Sequence, residues 1–325
     1  MKLIRRQFLR LAGAAVAAPA LPRIGLAQVY PTRPVRLIVG NAPGGGPDIL
    51  ARLLGPWLSE RLDQPIIIEN RPGAGGNTAT EVVVNAAADG NTLLLVTSSS
   101  AVNEALYEKL NFNFIRDIAP VASISRDPLF MLLHPSFPAK TVSEFIAYAK
   151  VNPNKLSMAS PGSGTGPHVA GELFKMMAGI NMVHVPYRSG APALTDLIGG
   201  QVQVYFGALP VSIEHIRAGR LQALAMTSAT RSEVLPDIPT VGEFVPGYEA
   251  STWFGFGAPR NTPAGIVERL NKEINAGLAD PKLKVRLADL GSAPFVGSPS
   301  DFGKFIAEET VKWAKVVKFA GIKPE

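Results

Sequence analysis

The sequence predicts an α/β protein of two lobes, and three observations predict it. Short apolar runs alternate with amphipathic stretches, the pattern of parallel strands covered by helices on both faces. The order strand, glycine-rich turn, helix is laid down twice, starting near residue 35 and again near residue 156. The last amphipathic segments, after residue 260, need a sheet to cover, and the first series has few helices of its own.

In chain order, residues 35–39 read as the first strand. A helix follows with Ile49, Leu50, Leu53, Leu54, Trp57 and Leu58 on one stripe. Residues 66–68 form the next strand, 80–88 a helix and 92–96 a third strand. The second series has a helix over 143–151, a strand over 156–159 and a helix bearing Val169, Leu173, Phe174 and Met177. A strand over 182–185, a helix over 192–198 and a strand over 202–206 complete it. Two helices and a final one close the chain, the last carrying Phe302, Phe305, Ile306, Trp313, Val316 and Val317 at helical spacing. If that end returns to the first sheet, lobe one is discontinuous, with residues 28–123 plus 252–325, and lobe two holds 124–251. Strands near 124–133 and 253–256 would then cross between the lobes, an arrangement suited to hinge closure on a ligand.

The chain has 325 residues, 46% hydrophobic and 18% charged, and no cysteine. Disulfides, thiolate metal sites and a cysteine nucleophile are excluded. Four histidines, His134, His168, His184 and His215, stand too far apart for a helical ligand pair, so neither a metal site nor a cofactor is expected. The first 27 residues hold five of the 32 Lys and Arg and no acid, leaving 27 bases against 26 acids. The remainder is close to neutral, which removes the case for nucleic acid. Those 27 residues read as an export leader of the twin-arginine type. Arg5 and Arg6 precede an apolar stretch shorter than the roughly 20 residues of a membrane span, and Gly25-Leu26-Ala27 offers small residues for cleavage after Ala27.

Two glycine-rich turns stand at corresponding places. In Asn41-Ala42-Pro43-Gly44-Gly45-Gly46-Pro47-Asp48 the glycines let backbone approach a ligand, and the N–H groups of the helix start favour an anion. Ser160-Pro161-Gly162-Ser163-Gly164-Thr165-Gly166-Pro167-His168 repeats the arrangement in the second series. Open α/β sheets bind ligands at the carboxyl ends of their strands, which is where both turns lie. The first turn is neither a dinucleotide fingerprint, since Ile49 occupies the third glycine position, nor a phosphate loop, which needs Gly-Lys before Ser or Thr. Ser163 is no hydrolase nucleophile either, because Pro161 and Thr165 stand where its elbow requires glycine. A third turn, residues 71–77, is either a further wall of the site or a plain connection. Thr97 and Ser99 offer hydroxyls after the third strand. Tyr187 and Arg188 follow a strand of lobe two, with Arg188 placed for a second acidic group, and Asp196 lies on the helix beyond.

These motifs resemble the solute-binding receptors of the tripartite tricarboxylate transporter family, the Bug or TctC type. The resemblance runs from Tyr30-Pro31-Thr32-Arg33-Pro34 through PGGGPD at 43–48, ENRPGAGGN at 69–77 and HVPYRSGAPALTDLIGGQV at 184–202 to WAKVVKFAGIKPE at 313–325. It implies a periplasmic binding protein of the Venus flytrap kind, a monomer without catalytic activity that closes on a small organic acid. The turns at 43–48 and 160–168 would grip a carboxylate through backbone N–H groups. Implied ligand-binding residues are Pro43, Gly44, Gly45, Gly46 and Asp48 in the first turn, with Thr97 and Ser99. Lobe two would add Ser160, Gly162, Ser163, Gly164, Thr165 and His168, with Tyr187, Arg188 and Asp196. Subunits of a membrane transporter, or a sensor protein, would be the partner. Asn41, Pro47, Ser99-Ser100-Ala101 and Ser189 depart from the family's usual residues, so the identity of the acid does not carry over. A two-lobed transferase using the same turns is the enzyme alternative. The missing acid–base constellation and the leader count against it.

Overall fold

A computed structural model, described for residues 30–231 and 235–324, joins nine strands into one continuous sheet among those residues. The chain runs β1 (Val35–Val39), α1 (Gly46–Leu62), β2 (Ile66–Asn70), α2 (Asn77–Val84), β3 (Thr92–Thr97), α3 (Ser98–Leu106), α4 (Phe114–Asp117) and β4 (Ile118–Leu133). It continues through α5 (Val142–Val151), β5 (Ser157–Ser160), α6 (Gly166–Ala178), β6 (Val183–Pro186), α7 (Gly190–Ile198), β7 (Val204–Ala208), α8 (Leu209–Arg217) and β8 (Gln222–Met226). β9 (Ser251–Pro259), α9 (Ala264–Ala279), α10 (Pro281–Asp289) and α11 (Pro299–Ala320) complete it. The leader expected over residues 1–27 lies outside the described residues. Among these, no helix is long and apolar enough to cross a membrane.

Strand order is β2-β1-β3-β9-β4-β7-β5-β6, with β8 also paired to β4. The two ends are built alike. β1 lies parallel between β2 and β3, and β5 lies parallel between β6 and β7. Each trio is followed by an antiparallel strand from elsewhere in the chain, β9 beside β3 and β4 beside β7. β4 is the strand that crosses: its residues 118–128 pair with β9, and 129–133 pair with β7 and β8. The other crossing is the short step into β9, where Ala250 N–H still bonds Thr227 O and Ser251 already pairs with Pro128. This is the two-lobed α/β architecture joined at two crossings that the sequence predicts, except that the second crossing falls just before β9 and residues 253–256 pair wholly with β3 and the first part of β4.

The apolar periodicity places the core. The face of α1 turned to the sheet is Leu50, Ala51, Leu54, Leu58 and Leu62. Ile49, expected in that stripe, is 41% exposed because the buried face of α1 runs through Leu50, Leu54, Leu58 and Leu62, one residue round from it. α11 starts on a capping box between Ser298 and Asp301 with Pro299 at the first position, and ends at Gly321 with φ +60°. Its residues Phe302, Ile306, Trp313, Val316 and Val317 are buried in the same core as Leu94 of β3 and Phe174 of α6, so the chain end closes over both halves. Glu309 accepts the indole N–H groups of Trp253 at 3.0 Å and Trp313 at 2.8 Å and pairs with Lys312, which ties α11 to β9.

α3, α8 and β8 escape the periodicity, since each is short: α3 opens on three serines, and β8 is a five-residue Ala-containing run with no distinctive alternation. The helix expected over 80–88 begins earlier and ends earlier, as α2, because the chain turns directly from the third glycine segment into it.

Two matched turns as the candidate anion site

Both glycine-rich turns have one conformation. In the first, Gly45 N–H bonds Ala42 O at 3.2 Å, with Pro43 and Gly44 between them and Gly44 at φ +80°. In the second, Thr165 N–H bonds Gly162 O at 3.4 Å, with Ser163 and Gly164 between them and Gly164 at φ +73°. Glycine at positive φ in the third position is what a type II turn asks for, and the first turn adds the favoured proline, Pro43, in the second, where the other has Ser163. The next residue caps the helix: Gly45 at φ −73° and ψ 161°, Thr165 at φ −71° and ψ 156°. Gly46 and Gly166 then start α1 and α6, each followed by a proline.

A side chain four residues on holds each turn. Asp48 Oδ2 accepts Gly44 N–H at 2.9 Å, and Nδ1 of His168 accepts Gly164 N–H at 3.1 Å. Asp48 is buried. Arg52 donates to its Oδ2 at 2.9 Å, and Asn70 to its Oδ1 at 2.9 Å while also bonding Asn41 O. The Arg52 guanidinium, with Gly44 and Asn70, holds the Asp48 carboxyl down at about 2. His168 is also buried. It stacks on His184 at 3.6 Å between ring centroids, and its Nε2 stands 3.6 Å from Glu172 Oε1. Burial pushes Glu172 up, but His168 and Lys175 hold it below its usual value.

Most turn N–H groups are therefore taken within the fold, Gly162 N–H by the Ser160 hydroxyl at 3.2 Å included. The N–H groups of Gly46 and Asp48, and those of Gly166 and His168, take no acceptor from the described residues, as expected of a first helical turn. A Cβ built on Gly44 or Gly46 would meet nothing within 4 Å. On Gly45 it would come 3.3 Å from Ala42 O, and φ there is negative, so Gly44 rather than Gly45 is the residue whose conformation demands glycine.

Lobe-one elements pack on the second turn. A Cβ on Gly164 would stand 2.7 Å from Leu106 of α3, and one on Gly166 only 2.3 Å from Thr252 Cγ2 and 3.8 Å from Ser98 Oγ. Thr97 ends β3 at the N-cap position of α3, so the Thr97 to Ser99 segment is a helix start rather than a loop, and it lies beside the start of α6. The third turn packs behind: Gly75 O accepts from Asn103 of α3, and Gly76 approaches Gly40 closely.

Other expected site residues lie apart. Tyr187 Oη donates to Asp196 Oδ2 at 2.6 Å, giving Asp196 a partner that sequence alone does not reveal. Burial, and then Asp196, push Tyr187 up to about 12. Arg188 is exposed and makes no ion pair among the described residues. Arg52, Asn70 and Thr252 escape sequence reasoning, although Arg52 stands at the i,i+4 spacing from Asp48 that favours pairing. Among the described residues no group of three metal-ligating side chains occurs.

Known proteins share this architecture. A family model, TctC, the tripartite tricarboxylate transporter family receptor, matches residues 50–322. The chain belongs to this receptor family. BugT of Bordetella pertussis is 36% identical over 316 residues, 96% of this chain and 95% of that protein. A structure described as R. palustris Rpa4515 with adipate is 38% identical with a TM-score of 0.80, over 91% of this chain and 100% of that one. MatC (Rpa3494) from Rhodopseudomonas palustris, with bound malate, is 33% identical with a TM-score of 0.76, over 89% and 100%. As a TctC receptor the chain is a solute-binding protein, and the two turns sit where the strands of its lobes end.

Proposed function

We propose that the protein captures a small carboxylate-bearing organic acid between its lobes, outside the cytoplasmic membrane, and presents it unchanged to a membrane transporter. The observation that carries this reading is the pair of matched turns, each leaving helix-start N–H groups without an acceptor. One carboxylate oxygen on Gly46 and Asp48 N–H and the other on Gly166 and His168 N–H would make four charge-assisted bonds. At about 1.5–3 kcal/mol each, these work against the cost of ordering the ligand, and the rest of the ligand's contacts add to them. Relatives holding adipate and malate support the ligand class. Lobe one takes residues 28–123 plus 252–325 and lobe two 124–251, with removal of residues 1–27 on export, and the receptor acts as a monomer. Gly44, Gly164 and the residues between them and the helices shape the site, while Arg188 is exposed and available to a distal acidic group.

A sensor protein as partner uses the same site and differs only downstream. Thermal-shift screening against organic acids, with mass spectrometry of co-purified ligand, tests the proposal. A stabilising acid recovered unchanged is the expected result. Stabilisation by no carboxylate, or recovery of a converted product, would overturn it.

A further inference from the structure

We propose that His168 is a positioning residue for the anion site: its neutral imidazole holds the second turn in shape through Gly164, and protonation releases that turn. The inference rests on the reading of the turns as the site. Accepting Gly164 N–H at 3.1 Å requires a lone pair on Nδ1, so the ring's proton belongs on Nε2, which faces Glu172 Oε1 at 3.6 Å. A second proton on Nδ1 sets a donor against the Gly164 N–H. The turn must then open or the ring must move, and the ring is buried and stacked at 10° on His184.

The titratable groups around it come from two elements. On its own helix are Glu172 and, 2.8 Å from Glu172, Lys175. From β6 comes His184, whose Nε2 lies 2.6 Å from the Ser160 hydroxyl that takes Gly162 N–H. Both imidazoles thus brace the same turn from one side.

The first turn supplies the contrast. Asp48 does the same work at the same i,i+4 spacing with a carboxylate that stays ionised to about pH 2. Protonation of His168 therefore loosens the lobe-two turn and leaves the carboxylate-held lobe-one turn intact, so ligand is released by disassembly of half the site while the lobes stay folded.

The test uses the purified protein, His168→Asn, which keeps an acceptor at the place of Nδ1 without titrating, and His168→Leu, which has none. Imidazole nitrogen NMR and exchange of the Gly164 amide are followed from about pH 8 to about pH 5, with adipate titrated calorimetrically at both ends. In the wild type, protonation of Nδ1, faster Gly164 exchange and an adipate affinity lower by about tenfold should share one step, the size expected for one hydrogen bond. His168→Asn should lose the step, with its affinity for adipate the same at both ends of the range. His168→Leu should bind about tenfold more weakly throughout. Gly164 exchange indifferent to the imidazole titration, or a step that persists in His168→Asn and so belongs to His184, would overturn the proposal. Failure of the wild type to bind adipate would count against the ligand reading instead, and the imidazole and amide data would still decide the role of His168.

Discussion

Asp48 and His168 occupy one position in two copies of the same turn, and at the residue scale each is a brace before it is a contact. Asp48 has both carboxylate oxygens occupied by Gly44, Arg52 and Asn70. Replacing it with alanine leaves Gly44 N–H and the Asn70 amide short of an acceptor. Asp48→Ala should therefore lose about 1–3 kcal/mol of stability by denaturant titration and weaken ligand binding with it. A variant of full stability and full affinity would show that the carboxylate braces nothing. Asp127 carries a different prediction. It lies on β4 beside the point where that strand changes partners, bonded by the hydroxyls of Ser292 at 3.1 Å and Ser125 at 3.4 Å. Burial pushes its carboxyl up to about 7, against the two hydroxyls. An unfolded aspartate titrates near 4, so between about pH 4 and 7 the native state keeps a proton that the unfolded chain releases. Stability then falls as pH rises through that window and levels off above it. Asp127→Asn should remove this slope and gain at pH 8 relative to wild type, by up to about 4 kcal/mol. Parallel melting curves for the two proteins across pH 5 to 8 would contradict it.

At the scale of elements, the contact between α6 and β9 sets how the second turn meets lobe one. Gly166 has room for no side chain, since its Cβ would fall 2.3 Å from Thr252 Cγ2. Gly166→Ala should lower ligand affinity by about tenfold, and Thr252→Ser in the same chain, which removes that methyl, should restore most of it. Equal affinities for the single and double variants would place the constraint elsewhere. Much of this level was legible in the sequence. Unbroken apolar runs gave β1, β3 and β7 to within about two residues, because buried parallel strands need no polar alternation. The glycine segments marked both turns, since only glycine serves at φ +80° and +73° without strain. What stayed hidden depends on tertiary contact. Three serines starting a helix look like a loop until the chain is seen turning helical directly after Thr97, and the bond from Tyr187 to Asp196 follows from no local pattern. The conformational identity of the two turns was also hidden, since the motifs share only glycines and a proline, and a carboxylate in one does the work of an imidazole in the other.

At the scale of the whole molecule, two crossings join the halves, and α11 closes over both by packing on α3 and on α6, with the Glu309 bonds to the two indoles tying it to β9. The account places the ligand's carboxylate at the helix starts beyond the turns, at Gly46 and Gly166. Gly46 offers the most direct test, because its φ is not in the left-handed region and a Cβ there meets nothing within 4 Å. Gly46→Val should leave the fold intact and put bulk where the carboxylate sits. The decisive measurement is calorimetric titration of wild type and Gly46→Val with adipate, malate and related acids, after melting curves have shown both proteins folded. The account predicts micromolar binding of at least one acid by wild type, and a loss of at least about tenfold, 1.4 kcal/mol, in the variant. Undiminished affinity in Gly46→Val would place the carboxylate elsewhere and contradict the account.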